Sequence, residues 1–111
     1  MSRVDKVQQL CLTKEQEVSS LKRVPKWTLH EDATNGDSIT RSFTFDDFKT
    51  AFYFMSQSAQ LAEKNNHHPD WSNLYNVVDV KLTTDDQFCL GTFDIELAQG
   101  MDYLYESITK L

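Results

Sequence analysis

Two of the chain's three histidines stand side by side in Glu63-Lys64-Asn65-Asn66-His67-His68-Pro69-Asp70-Trp71. An imidazole, with an ordinary pKa of about 6.5, can give or take a proton at neutral pH. Two of them together can serve as a general acid and a general base. Glu63 supplies a carboxylate one helical turn before His67. Pro69 fixes its own φ and biases His68 toward extended backbone, which aims that ring. A cation just past a helix C-terminus gains about 0.3–1 kcal/mol, which favours an acid role here. Adjacent histidines taken alone are mostly surface residues, so the wider pattern must decide. A zinc site is the weaker rival. It needs three or four convergent ligands, and only His67, His68, His30, Cys11 and Cys89 are candidates.

The pair must be held by what flanks it. Asp46 caps a helix predicted to run from about 47 to 64, Asp47 complementing its positive end, with Phe48, Ala51, Phe52, Met55, Ala59 and Ala62 as an apolar stripe widened by Phe54 and Leu61. This aromatic run reads as packing against a sheet rather than a cofactor box. Residues 74–83 alternate, with Leu74, Val78, Val80 and Leu82 on one face and Asn76 intruding. The histidines therefore fall at a helix-to-strand junction, where loops carry chemistry. Upstream, Thr13-Lys14-Glu15-Gln16 forms a capping box for a short helix with Val18 and Leu21 on one face. Trp27 to His30 reads as a short strand. Asn35-Gly36 signals a turn. Ser38 to Phe45 alternates as a half-buried strand with Ile39, Arg41, Phe43 and Phe45 inward. Residues 83–91 form a loop, with a further short strand open at 87–90. Thr92 caps the last helix, whose inward residues are Ile95, Ala98, Met101, Leu104, Tyr105 and Ile108. Asp94 reads as a first-turn helix charge. His30 reads as a strand-end surface residue, and Trp27, Phe43 and Phe45 read as core.

The 111 residues make one domain: 1–11 as a tail or helix extension and 12–111 as a single folded unit. The order of elements predicts an α+β fold, an antiparallel sheet with helices on one face. A hydrophobic fraction of 40% with 25% charged residues is ordinary for a globular chain. No apolar run reaches the roughly 20 residues of a membrane span. The opening Met1-Ser2-Arg3-Val4-Asp5 lacks the apolar core of a secretory signal. Two cysteines far apart in sequence suggest a reduced chain in the cytoplasm, a nuclear pool being the secondary alternative. A net charge of −6 argues against nucleic-acid backbone contacts.

The ordered set Glu63, His67-His68-Pro69, Tyr75, Asp85 and Asp94 resembles the pterin-4a-carbinolamine dehydratase family. Flanking residues add to the resemblance: Leu12-Thr13, Trp27, Arg41-x-Phe43-x-Phe45-x-Asp47-Phe48, Ala62-Glu63-Lys64, Trp71, Asn73, Tyr75-Asn76 and Asp94-Ile95-x-Leu97-Ala98. It covers roughly residues 12–108. It implies a four-stranded antiparallel sheet with three helices packed on one face, and assembly into homodimers or homotetramers through sheet edges and helices. It implies loss of water from a 4a-hydroxytetrahydropterin to give a quinonoid dihydropterin, which recycles the cofactor of aromatic amino acid hydroxylases. No metal and no cofactor is implied; the pterin is the substrate. The catalytic set carried over is His67, His68, Asp85 and Glu63. The substrate would lie between Asn66, His67, His68 and Trp71 on one side and Thr83, Thr84, Asp85 and Asp86 on the other. Two departures stand out. Asp85 occupies the place of a usual third histidine, and an ordinary aspartate, with a pKa near 3.9, accepts protons rather than donating them at neutral pH. Phe88-Cys89 replaces small residues. Some relatives act as dimerisation cofactors of a homeodomain transcription factor, so a noncatalytic binding role is the alternative.

Overall fold

The structure is a computed structural model that describes residues 11–84 and 87–110. Among the described residues, three helices and four strands follow in the order α1 (Lys14–Leu21), β1 (Thr28–His30), β2 (Ser38–Thr44), α2 (Phe48–Lys64), β3 (Asp70–Leu74), β4 (Val77–Leu82) and α3 (Thr92–Thr109). The strands form one antiparallel sheet in the order β1-β2-β4-β3. The fold is the α+β arrangement expected from the sequence.

Register follows from the alternation. Arg41, Val80 and Trp71 form one cross-strand row, and Phe43, Val78 and Asn73 form the next. Since paired residues of an antiparallel sheet share a face, these rows meet the helices. Phe43 is fully buried and touches Trp27, Phe54 and Tyr105, with ring centroids 5.9, 4.7 and 5.1 Å away. Burying a ring of this size contributes about 1.5–3 kcal/mol. Arg41 lays its guanidinium 4.4 Å from the centre of the Phe43 ring and pairs with Asp102 at 2.6 Å. Trp27 Nε1 donates to the same carboxylate at 2.7 Å, tying the residue before β1 to β2 and α3. The other face of the sheet is polar: Thr28, Thr40, Ser42, Ser72, Asp79 and Lys81 line an open groove of about 660 Å³.

Five local expectations change, one of them that Gly91 and not Thr92 is the N-cap of α3. Asp47, not Asp46, caps α2, its side chain accepting from Thr50 N at 2.8 Å. The buried stripe of α2 is Ala51, Phe54, Ser58 and Ala62, leaving Phe48 and Phe52 half exposed. In α1 the inward residue is Glu17, while Val18 is exposed. Residues 74–83 are not one strand: the chain makes a hairpin over 70–82 whose turn is Tyr75-Asn76, with Tyr75 at φ 54°. Asn73 Nδ2 donates to the carbonyls of Tyr75 and Val77, and Asn76 Nδ2 donates to Phe45 O. These amides hold a turn that has no glycine to advertise it.

The cysteines are not separate. Cys11 and Cys89 form a disulfide, with Cα atoms 5.7 Å apart. Sequence separation of 78 residues hid the contact, which a backbone bridge from Cys11 to Gly91 brings about. The 87–90 segment forms only an isolated bridge, Thr84 to Cys89, rather than a strand.

Candidate active site

The site begins where α2 stops. Asn66 adopts φ 51°, a left-handed conformation that asparagine tolerates better than most residues. Its N–H returns to Glu63 O at 3.1 Å, and His67 N–H returns to Ala62 O at 2.9 Å. This double closure ends the helix and turns the chain toward β3. His67 leaves on the inner side of that turn and His68 on the outer.

His67 Nε2 lies 2.5 Å from Asp94 Oδ1. Asp94 is completely buried, and His67 is only 11% exposed. The aspartate is the third residue of α3 and accepts from Gly91 N at 2.8 Å, closing the helix N-terminus. Thr84 Oγ1 donates to the same Oδ2 at 2.8 Å. One carboxylate thus collects three donors, which is what a buried charge requires. The pairing also joins the negative end of α2 to the positive end of α3, with an imidazole at the first and an anion at the second. The Phe93 ring meets the His67 ring edge-on, centroids 6.1 Å apart.

His68 sits in a different setting. Its Nε2 contacts Glu63 Oε2 at 2.7 Å, and both side chains are more than half exposed. A surface pair of this kind contributes about 0–1 kcal/mol. Asn66 is exposed beside it. Trp71 is half buried on β3, three residues past His68. Thr83 Oγ1 donates to the carbonyls of Asp37 and Cys89, bracing the loop. Thr84 is buried and faces Asp94 rather than an open space. The sequence-derived roles of Asp85 and Asp86 lie outside the described residues.

Asp94 is the first-turn acid expected from the sequence, and it also reaches His67, a contact the sequence reading did not anticipate. Gly91 and Phe93 were not singled out in the sequence. His30 Nε2 pairs with Thr40 Oγ1 at 2.7 Å, and both cysteines are in the disulfide. Among the described residues, three carboxylates that approach metal-ligand spacing are Glu17, Glu31 and Asp37, and the Lys14 ammonium sits among them.

The family model described as pterin 4 alpha carbinolamine dehydratase matches residues 11–104. The chain belongs to that family. A protein of Rhizorhabdus wittichii named "Putative pterin-4-alpha-carbinolamine dehydratase" is 44% identical over 95 residues, covering 86% of this chain and 95% of its own length. A Mesorhizobium japonicum protein of the same name is 45% identical over 94 residues, 85% of this chain and 93% of its own. A crystal structure described as a transcriptional coactivator/pterin dehydratase from Brucella melitensis superposes with a TM-score of 0.78 at 41% identity. It covers 86% of this chain and 99% of that one. Among the described residues, no helix is long and apolar enough to cross a membrane.

Proposed function

We propose that the chain dehydrates a 4a-hydroxytetrahydropterin to the quinonoid dihydropterin, by proton transfer through histidine. The observation that carries this reading is the buried Asp94 carboxylate fixing His67 Nε2. A base oriented by a third, buried group is the arrangement proton transfer needs. With Nε2 engaged, Nδ1 is the nitrogen through which His67 exchanges a proton. In the proposed step His67 takes the proton of the ring N–H adjoining the carbinol carbon. The C–O bond breaks, its electrons leave with oxygen, and the C=N bond forms. His68, in contact with Glu63, delivers the proton that lets the oxygen depart as water. Proton transfer by a positioned side chain is worth about 10²–10⁴-fold in rate.

Asp85 is proposed as a base or as the anion that steadies a histidine cation, and Asp86 as its neighbour at the pterin. Thr83 and Thr84 act in this reading by holding the loop and Asp94, and Asn66 and Trp71 by bounding the pterin. No metal or further cofactor enters. The product returns to pterin-dependent aromatic hydroxylation, and the protein works in the cytoplasm as a homodimer or homotetramer.

The second reading is a partner-binding role without catalysis. It is supported by the coactivator description of the Brucella melitensis structure and by the exposed Phe48, Phe52 and Tyr53 on α2. Decay of a freshly generated 4a-hydroxytetrahydropterin separates the two. Acceleration that saturates with substrate supports the dehydratase. A trace that superposes on the spontaneous decay leaves only the partner-binding role.

A further inference from the structure

Asp94 is held by two donors besides His67, and each is bridged to one of the two cysteines. Gly91, whose N–H meets Asp94 Oδ2, is bridged to Cys11. Thr84, whose hydroxyl meets the same oxygen, is bridged to Cys89. The backbone contacts are direct: Thr84 N–H to Cys89 O at 2.8 Å, and Leu12 N–H to Leu90 O at 2.9 Å. The disulfide therefore ties the chain at Cys11 to the 84–91 segment, which holds both of these donors to the carboxylate. Cys11 is exposed and Cys89 is half buried, so a small thiol can reach the bond.

We propose that the Cys11–Cys89 disulfide is a thiol-operated clasp on the His67–Asp94 pair, its oxidised form holding the arrangement that binds the pterin. The pterin rests on the function proposed above; the clasp on His67 does not. The chemistry is exchange with a small dithiol or with two molecules of a monothiol of the glutathione class. A thiolate attacks the Cys11 sulfur, the S–S bond breaks, and Cys89 leaves as thiolate. A second thiolate resolves the mixed disulfide and releases Cys11. Two electrons and two protons pass to the protein, and the reductant becomes its own disulfide. A small disulfide reverses the exchange.

Release of Cys11 leaves the first described residues held beside the α3 N-terminus by the backbone bridge alone. Gly91 and Thr84 then lose a shared restraint, and Asp94 loses the fixed position that aims His67. Disulfides in reducing compartments are mainly transient or redox-sensing, which suits a reversible clasp.

The test equilibrates the full chain in glutathione buffers from fully oxidising to fully reducing. Thiols are counted by alkylation and mass spectrometry, and the His67 ring is followed by ¹H–¹⁵N NMR with a dihydropterin titrated in. The expected result is a displaced His67 signal and dihydropterin affinity about fivefold weaker or more in the reduced protein. Cys11→Ser, at an exposed position, reproduces the reduced behaviour in every buffer, and Cys89→Ser is the second variant. Identical His67 signals in both states overturn the clasp, as does alkylation of both cysteines across the whole buffer range. A His67 response without any acceleration of 4a-hydroxypterin decay keeps the clasp and removes the dehydratase reading. Equal turnover and equal affinity in both states remove the clasp and keep the dehydratase.

Discussion

Thr84 and Asp94 are both buried, and the threonine hydroxyl donates to the carboxylate at 2.8 Å, opposite the oxygen that meets His67. The threonine acts on the histidine through that shared acid. Thr84→Val keeps the shape and removes the donor, leaving a buried anion short of one bond. The expected result is a fall in kcat of about tenfold with KM little changed, and recovery in Thr84→Ser. Steady-state kinetics on the three proteins checks it.

Asp94→Asn removes the charge while keeping the side chain's volume. It should lower kcat by about 10²-fold or more, because the His67 ring loses the acceptor that fixes its tautomer. The same change weakens the closure of α3 at Gly91, so unfolding free energy should drop by about 1–3 kcal/mol. Kinetics together with urea unfolding separates the two effects.

Glu17 predicts a pH dependence of stability. Burial, and then a hydrogen bond with Asp37, push its carboxyl up from 4.5 to about 7. The folded chain holds this proton up to about pH 7, while the unfolded chain releases it near 4.5. Between those values the folded state binds more protons, so Glu17 favours folding below 4.5 and progressively loses that advantage as pH rises through 7. The Lys14 ammonium, hydrogen-bonded to Asp37, lowers the Asp37 carboxyl, which places that group's titration below this window. Glu17→Gln should remove a slope worth about 1–3 kcal/mol between pH 5 and 7. Thermal melts of both proteins across that range check it.

Gly36 packs its backbone against the loop that carries Cys89. It sits at φ 93°, and a Cβ there would lie 2.2 Å from the Phe88 carbonyl carbon. Backbone cannot yield as a flexible side chain does. Gly36→Ala should cost about 1–3 kcal/mol or more from the left-handed conformation alone. Chemical denaturation measures it.

The stacked, half-exposed rings of Phe48 and Phe52, centroids 5.9 Å apart, form with Tyr53 an apolar surface on α2. If subunits assemble through this face, Phe48→Ser with Phe52→Ser shifts the sedimentation profile toward monomer while far-UV circular dichroism is unchanged. An unaltered profile places the subunit contact elsewhere.

Much of the fold could be read from periodicity and caps. The Thr13–Gln16 capping box, the alternation of Ser38–Thr44 and the apolar spacing of α2 and α3 each report a local contact. The β3–β4 hairpin escaped because its turn relies on amide side chains of Asn73 and Asn76 instead of glycine. Glu17 escaped because an acid on an inward face violates the pattern that periodicity detects. In the site, His67, His68 and Glu63 were legible as a cluster in sequence. The division between a buried His67 and an exposed His68 was not, since it depends on how Asn66 closes the helix. Asp94 and the disulfide both need the α3 N-terminus brought beside residues far away in the chain, which no local pattern encodes.

The most direct measurement is turnover of a freshly generated 4a-hydroxytetrahydropterin by wild type and His67→Ala at equal, verified folded concentration. Loss of about 10²–10⁴-fold in kcat, bringing His67→Ala close to the spontaneous rate, is the predicted result. A His67→Ala protein that turns over substrate as fast as wild type contradicts it.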